Sequence, residues 1–131
     1  MAAGIGIDMV SIDEVARYVD GSDLTRAETL DPFVRRTFTT GEIGLAAQRH
    51  NPAEFLAGRF AVKEAVFKAL AHPSGEYLEF YEIETLSYDD GAPYVTKTPA
   101  VERALEKAGA SELLVSITNE GNYAVAIVLA Q

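Results

Sequence analysis

The spacing of apolar residues changes several times along this chain, and each change marks an element. Ile5 and Ile7 alternate with glycines in the run from residue 3 to 8, which predicts a first strand ending at the polar Asp8. Ser11 with Glu14 three residues later is a capping-box pattern, and Val15, Tyr18 and Val19 follow at helical spacing, so a short helix starts near Ile12. Gly21-Ser22 breaks that helix and Asp31-Pro32 breaks the next segment, while Thr39 or Thr40 ahead of Glu42 marks another helix start. The longest helical candidate runs from 53 to 70, with Ala71-His72-Pro73-Ser74-Gly75 as its stop. Beyond it, Tyr81 to Leu86 and Tyr94 to Thr96 read as strands around the turn Gly91-Ala92-Pro93, and Ala100 to Ala108 as a helix. Leu113 to Ile117 and Tyr123 to Leu129 alternate as strands around Glu120-Gly121-Asn122. One strand, several helices, then mainly strands with one helix inserted predicts an α+β domain rather than alternating βαβ units. No repeat or linker divides the chain, so residues 1–131 are expected to form a single domain.

On a helical wheel at about 100° per residue, Phe55, Leu56, Phe60, Val62, Val66, Phe67 and Leu70 share one broad arc, and Ala61, Ala65 and Ala69 lie on the other side. A domain of this size can hardly cover a helix apolar nearly all round, which points to self-association. Arg59 and Lys63 fall inside the apolar arc one turn apart, with Glu64 and Lys68 together on its flank. Unpartnered cations in a core would cost several kcal/mol each. Two readings are open. The cations pair internally or line a cavity for an anion such as phosphate, or they snorkel over the rim while Glu64 and Lys68 form an ordinary surface pair.

Composition narrows the chemistry. With 48% hydrophobic and 24% charged residues the chain has the makings of a folded, soluble domain. No apolar run approaches the ~18 to 20 residues that span a bilayer, and the start MAAGIGID lacks the basic region of a signal peptide, so the expected setting is the cytoplasm, without membrane contact. The absence of cysteine excludes disulfides and thiolate zinc sites, leaving oxygen or histidine ligands for any metal. A net charge of −9 opposes binding to nucleic acid.

Asp8, at the end of a glycine-flanked apolar strand, is a candidate for the mouth of a site, and equally for a turn or helix cap. Met9 stands where a dinucleotide fingerprint would have its third glycine. Together with Glu64, Asp8 would give two carboxylates, a number that suits a hard cation bound mainly through substrate phosphates. His50 and His72 are read as structural. No H-E-x-x-H, P-loop or G-x-S-x-G is present.

Taken together, two segments resemble the holo-acyl-carrier-protein synthases of the 4'-phosphopantetheinyl transferase superfamily. Gly4-Ile5-Gly6-Ile7-Asp8-Met9-Val10 is similar to their G-x-G-x-D motif, and Phe55 to Ala65, FLAGRFAVKEA, to their F-L-A-x-R-[FW]-A-x-K-E-A helix. The resemblance continues through Phe33, Arg36, Phe38, Thr39, Glu42, Gly91-Ala92-Pro93 and Val115-Ser116-Ile117-Thr118, covering nearly the whole chain.

That resemblance implies a small antiparallel sheet packed on a long central helix, assembled as a homotrimer with active sites at the subunit junctions. It implies transfer of 4'-phosphopantetheine from coenzyme A to a serine of an acyl carrier protein or carrier domain, in fatty acid biosynthesis, with release of adenosine 3',5'-bisphosphate. Asp8 and Glu64 would hold magnesium, and Lys63 would stabilise charge on the phosphates. Arg59 and Lys68 would contact coenzyme A phosphates, with Ser116, Thr118, Gly91 and Pro93 shaping the nucleotide pocket. Glu64 or a metal-bound water would take the serine proton. Two residues depart from the pattern: Asn119 stands where many members carry His in the nucleotide pocket, and Glu14 where many carry a basic residue on the first helix. That helix has Asp13, Glu14 and Asp20 against the single cation Arg17, so an acidic carrier is expected to meet Arg26 and Arg35 of the following segments together with Arg17.

Overall fold

The computed structural model describes residues 3–70 and 78–131. In chain order the elements are β1 (Gly4–Ser11), α1 (Ile12–Val19), α2 (Pro32–Thr37), α3 (Thr40–Ala47), α4 (Pro52–Ala69), β2 (Thr85–Ser87), β3 (Pro93–Val95), α5 (Pro99–Lys107), β4 (Leu113–Glu120) and β5 (Tyr123–Ala130). Single 3-10 turns occupy Ala27–Thr29 and Phe80–Glu82. The result is an α+β domain, as the order of apolar patterns predicts. Three antiparallel strands in the order β1-β5-β4 form one sheet, β2 and β3 form a separate hairpin, and α4 packs across β1 and β5 with α1 and α3 beside it.

The central position of α4 follows from its composition. Asn51 caps its start by accepting from the Glu54 amide, and Pro52 fits the first turn, where no amide donor is needed. Leu56, Val62 and Val66 on one side and Ala61 and Ala65 on the other have no solvent exposure. Each buried Leu or Val contributes on the order of 1.5–3 kcal/mol of transfer free energy. The alanine side meets β1, where Gly4 and Gly6 lie directly against the carbonyls of Ala69 and Ala65, so a Cβ at either glycine would overlap backbone. Because strand side chains repeat every second residue, Gly4, Gly6, Asp8 and Val10 share this inward face. The glycines therefore bring the strand close enough for Asp8 to reach the flank of α4.

β1 extends beyond the expected Asp8 to Ser11, because β5 pairs with it without interruption from Gly4↔Ala130 to Ser11↔Tyr123. Asp31-Pro32 opens α2 rather than breaking a segment: Asp31 accepts from the Phe33 amide at 2.8 Å and Pro32 takes the first helical turn. The strand expected over Tyr81 to Leu86 shrinks to Thr85–Ser87. Upstream of it the Phe80 and Ile83 carbonyls accept from Lys63, which diverts the backbone from a ladder. The expected stop at Ala71 to Gly75 lies outside the described residues. Among the described residues, no helix is long and apolar enough to cross a membrane.

The outward face of the sheet is apolar over β1 and the middle of β5, and polar along β4 at Ser116, Thr118 and Glu120. Ile5, Ile7 and Met9 of β1 are 63%, 58% and 63% exposed and form an apolar patch on the surface of the chain. Ile127 stands opposite Ile7 across β5, and Tyr123 and Leu114 extend the patch.

Candidate active site

Among the charged residues of α4, the structure separates those that serve the core from those that face outward. Lys63 is fully buried. Its Nζ pairs with Glu42 Oε1 at 2.7 Å and donates to the carbonyls of Phe80 at 2.8 Å and Ile83 at 2.5 Å. Three donors are thereby taken by three acceptors, with the Phe38 ring 5.6 Å away. Burial depresses its affinity for the proton, and Glu42 and then Glu84 oppose that shift. Lys63, expected to stabilise charge on substrate phosphates, has its three ammonium donors engaged inside the fold. Its counter-charge comes from inside the fold. The sequence marks Glu42 only as part of a helix start; internal pairing of the α4 cations is one of the readings it leaves open.

Glu42 is itself a junction. It completes the capping box of α3 with Thr39, and its second oxygen accepts from the Thr85 amide at 3.0 Å. One buried carboxylate thus ties α3, α4 and β2 together.

Arg59 is 7% exposed and turned toward β2, donating to Ser87 Oγ at 2.7 Å and the Thr85 carbonyl at 3.3 Å. Its guanidinium stacks 4.0 Å from the centre of the Phe55 ring, which also carries Arg49 at 4.5 Å. Burial lowers its pKa to about 10, with Glu42 acting against the shift and Arg49 reinforcing it. Arg49, His50, Glu54, Arg59 and Asn119 line a concavity of about 500 Å³. His50, read as structural from the sequence, belongs to that wall, as does the unforeseen Arg49. Asn119 donates to Glu54 Oε1 at 3.1 Å.

Asp8, Glu64 and Lys68 come together where β1 crosses α4. Lys68 Nζ donates to the Ile7 carbonyl at 2.8 Å and lies 3.3 Å from Asp8 Oδ1. Glu64 has its proton affinity raised, first by burial and then by the Asp8 charge, with Lys68 pulling the other way. Two carboxylates that repel each other and an ammonium resting on one of them make a site for positive charge. Among the described residues, no group of three or more His, Asp or Glu side chains is arranged to hold a metal. Any ion here would have to complete its coordination with water and ligand oxygens.

The remaining expected residues are spread over the surface. Gly91 sits at φ +92 in the exposed turn between β2 and β3, where a left-handed conformation favours glycine, and Pro93 opens β3. Ser116 and Thr118 point outward from β4, and Ser116 stands opposite Ile127, so both belong to the outward sheet face rather than to the concavity beside Arg59. The expected carrier contacts Arg17, Arg26 and Arg35 are all exposed, and Arg26 pairs at the surface with Glu28 at 2.9 Å. Arg35 and Arg36 line a second concavity of about 550 Å³ with Phe33, Phe80 and Tyr81.

Comparison with known proteins bears on the whole chain. Residues 4–128 match the family model described as the 4'-phosphopantetheinyl transferase superfamily. A holo-acyl-carrier-protein synthase of Thermodesulfovibrio yellowstonii is 35% identical over 129 residues, covering 98% of each chain. The crystal structure of such a synthase from Neisseria meningitidis superposes with a TM-score of 0.79 at 30% identity, over 100% of this chain and 99% of that one. A Helicobacter pylori synthase, solved in complex with coenzyme A, superposes at 0.73 with 28% identity over 97% and 99%.

Proposed function

We propose that this chain, which belongs to the 4'-phosphopantetheinyl transferase superfamily, transfers the 4'-phosphopantetheine group of coenzyme A to a serine of an apo acyl carrier protein or carrier domain, in fatty acid biosynthesis. The observation that carries this reading is the meeting of Asp8, Glu64 and Lys68 at one mouth, in a chain that matches holo-acyl-carrier-protein synthases from end to end.

The donor set at that mouth fits magnesium, being two hard carboxylates with an ammonium standing in for a cation. Asp8 and Glu64 would hold the ion, which when bound draws charge from the diphosphate oxygens of coenzyme A. Lys68, exposed and flexible, is placed to meet those oxygens. Arg59 and Arg49 offer positive charge in the concavity beside Asn119 for a further phosphate. The serine hydroxyl attacks the β-phosphorus, forming a new O–P bond while the bond from that phosphorus to the bridging oxygen breaks. The electron pair leaves on adenosine 3',5'-bisphosphate. Glu64, half-buried beside Asp8, would take the serine proton. Lys63 supports the site from behind, by fixing α4 against the Phe80–Thr85 segment through Glu42.

The reading includes a homotrimer. The exposed apolar patch over β1 and β5 supports it, and burial of the outward sheet face would draw Ser116 and Thr118 into a subunit junction. The test is intact-mass analysis of an apo carrier protein incubated with this chain, coenzyme A and magnesium. One added phosphopantetheine is expected with the native sequence and none with Asp8→Ala or Glu64→Ala, each of which should keep its circular dichroism. Near-normal transfer by either variant at low magnesium would remove the metal assignment.

A further inference from the structure

Lys68 is the most exposed member of the Asp8 cluster. Its side chain is 54% exposed, against 20% for that of Asp8, which is fixed on the inward face of β1. The ammonium rests on the Ile7 carbonyl and on Asp8 Oδ1, at a carboxylate assigned to magnesium under the proposed function. An ammonium and a divalent cation on the same carboxylate repel each other, and the ammonium also occupies part of the acceptor surface the ion would use.

We propose that Lys68 is a tethered counter-cation, which neutralises the Asp8 and Glu64 pair while the site is empty and must leave Asp8 when a divalent ion binds. The inference rests on the reading that Asp8 and Glu64 hold the metal. Placement on α4 one turn after Glu64 gives Lys68 reach over both carboxylates without involving it in the core. A lysine suits the task, since it has several rotatable bonds and can exchange one set of acceptors for another. Once displaced, the same ammonium is free to meet the phosphates of the incoming substrate. Metal entry and phosphate capture are thereby linked through one side chain: Lys68 weakens metal binding to the substrate-free protein and strengthens substrate binding once the metal is in place.

This linkage predicts effects of opposite sign from one substitution, which a purely structural lysine would not produce. Binding of Mn²⁺ to the full chain without substrate is followed by electron paramagnetic resonance, for the native sequence and for Lys68→Gln, Lys68→Arg and Asp8→Asn. Lys68→Gln should bind Mn²⁺ about 3- to 10-fold more tightly than the native chain, the scale expected when one partly exposed repelling charge is removed. The same variant should show a raised KM for coenzyme A. Lys68→Arg, which keeps the charge, should bind Mn²⁺ like the native chain, and Asp8→Asn should bind it weakly. Equal or weaker Mn²⁺ binding by Lys68→Gln, with Asp8→Asn still impaired, overturns the counter-cation role and leaves the metal site standing. Tightening by Lys68→Arg equal to that by Lys68→Gln also overturns it, because the effect would not follow charge. Native binding by Asp8→Asn brings down the metal assignment and this inference with it.

Discussion

Lys63 Nζ and Glu42 Oε1 lie 2.7 Å apart with no solvent access to either side chain. The pair joins α3 to α4, and through the Thr85 amide it also fixes the entry to β2. Removing one partner of such a pair leaves an uncompensated buried charge, at a cost of about 3–5 kcal/mol. Glu42→Leu and Lys63→Met are each expected to lose stability on that scale in urea denaturation. The double variant Glu42→Leu/Lys63→Met should lose less than the sum of the two, since neither charge is then stranded. Strict additivity would show that the two side chains are not energetically coupled.

Two glycines should respond in opposite directions to alanine. At Gly6 the new Cβ would overlap the Ala65 carbonyl, and helix and strand would have to part, for a loss of about 3 kcal/mol or more. At Gly44, within α3, a Cβ meets nothing within 4 Å, so alanine should stabilise by about 0.5–1 kcal/mol through helix propensity. Thermal melting of the two variants reads both signs. A Gly6→Ala protein as stable as the native one would contradict the close packing of β1 on α4.

Glu64 gives stability a pH dependence of definite sign. Its affinity for the proton is raised in the folded chain by burial first and by Asp8 second, against the pull of Lys68. A carboxyl of this kind favours the fold while it is protonated, below its ordinary pKa of 4.5, and that contribution is lost as pH rises through the folded value. Without divalent metal, Glu64→Gln should therefore melt higher than the native chain at neutral pH, with the difference closing near pH 4.5. A lower melting temperature for the variant at neutral pH would mean that the attraction of Lys68 outweighs burial and Asp8.

The outward sheet face should govern assembly. Ile127, 41% exposed, stands opposite Ile7 at the middle of this face. Light scattering of the native chain at micromolar concentration should give three times the chain mass. Ile127→Glu should dissociate it while circular dichroism shows the fold retained, and transfer activity should fall with the assembly. A fully active native monomer would contradict a shared site.

The sequence alone determined the elements whose rules are local. Capping residues and helical periodicity placed the start of α1, the start of α3 and the whole of α4, and alternation with a glycine turn placed β4 and β5. The two motif segments also pointed to Asp8 and Glu64, the carboxylates that tertiary contact brings within electrostatic reach of each other. What the sequence could not decide was the use of each charge on α4. The wheel sets Arg59 and Lys63 in one apolar arc and Lys68 on its flank, yet Arg59 stacks on Phe55 against β2, Lys63 is sealed against Glu42 and Lys68 lies exposed over Asp8. Phe55 apart, their partners, Thr85 and Ser87 for Arg59, Glu42 for Lys63 and Asp8 for Lys68, stand about twenty or more residues away along the chain. A cation's role depends on which acceptors and how much water surround it, and those are fixed only when distant segments pack. The same limit explains the shortened β2, because a lysine many residues upstream claims the Phe80 and Ile83 carbonyls.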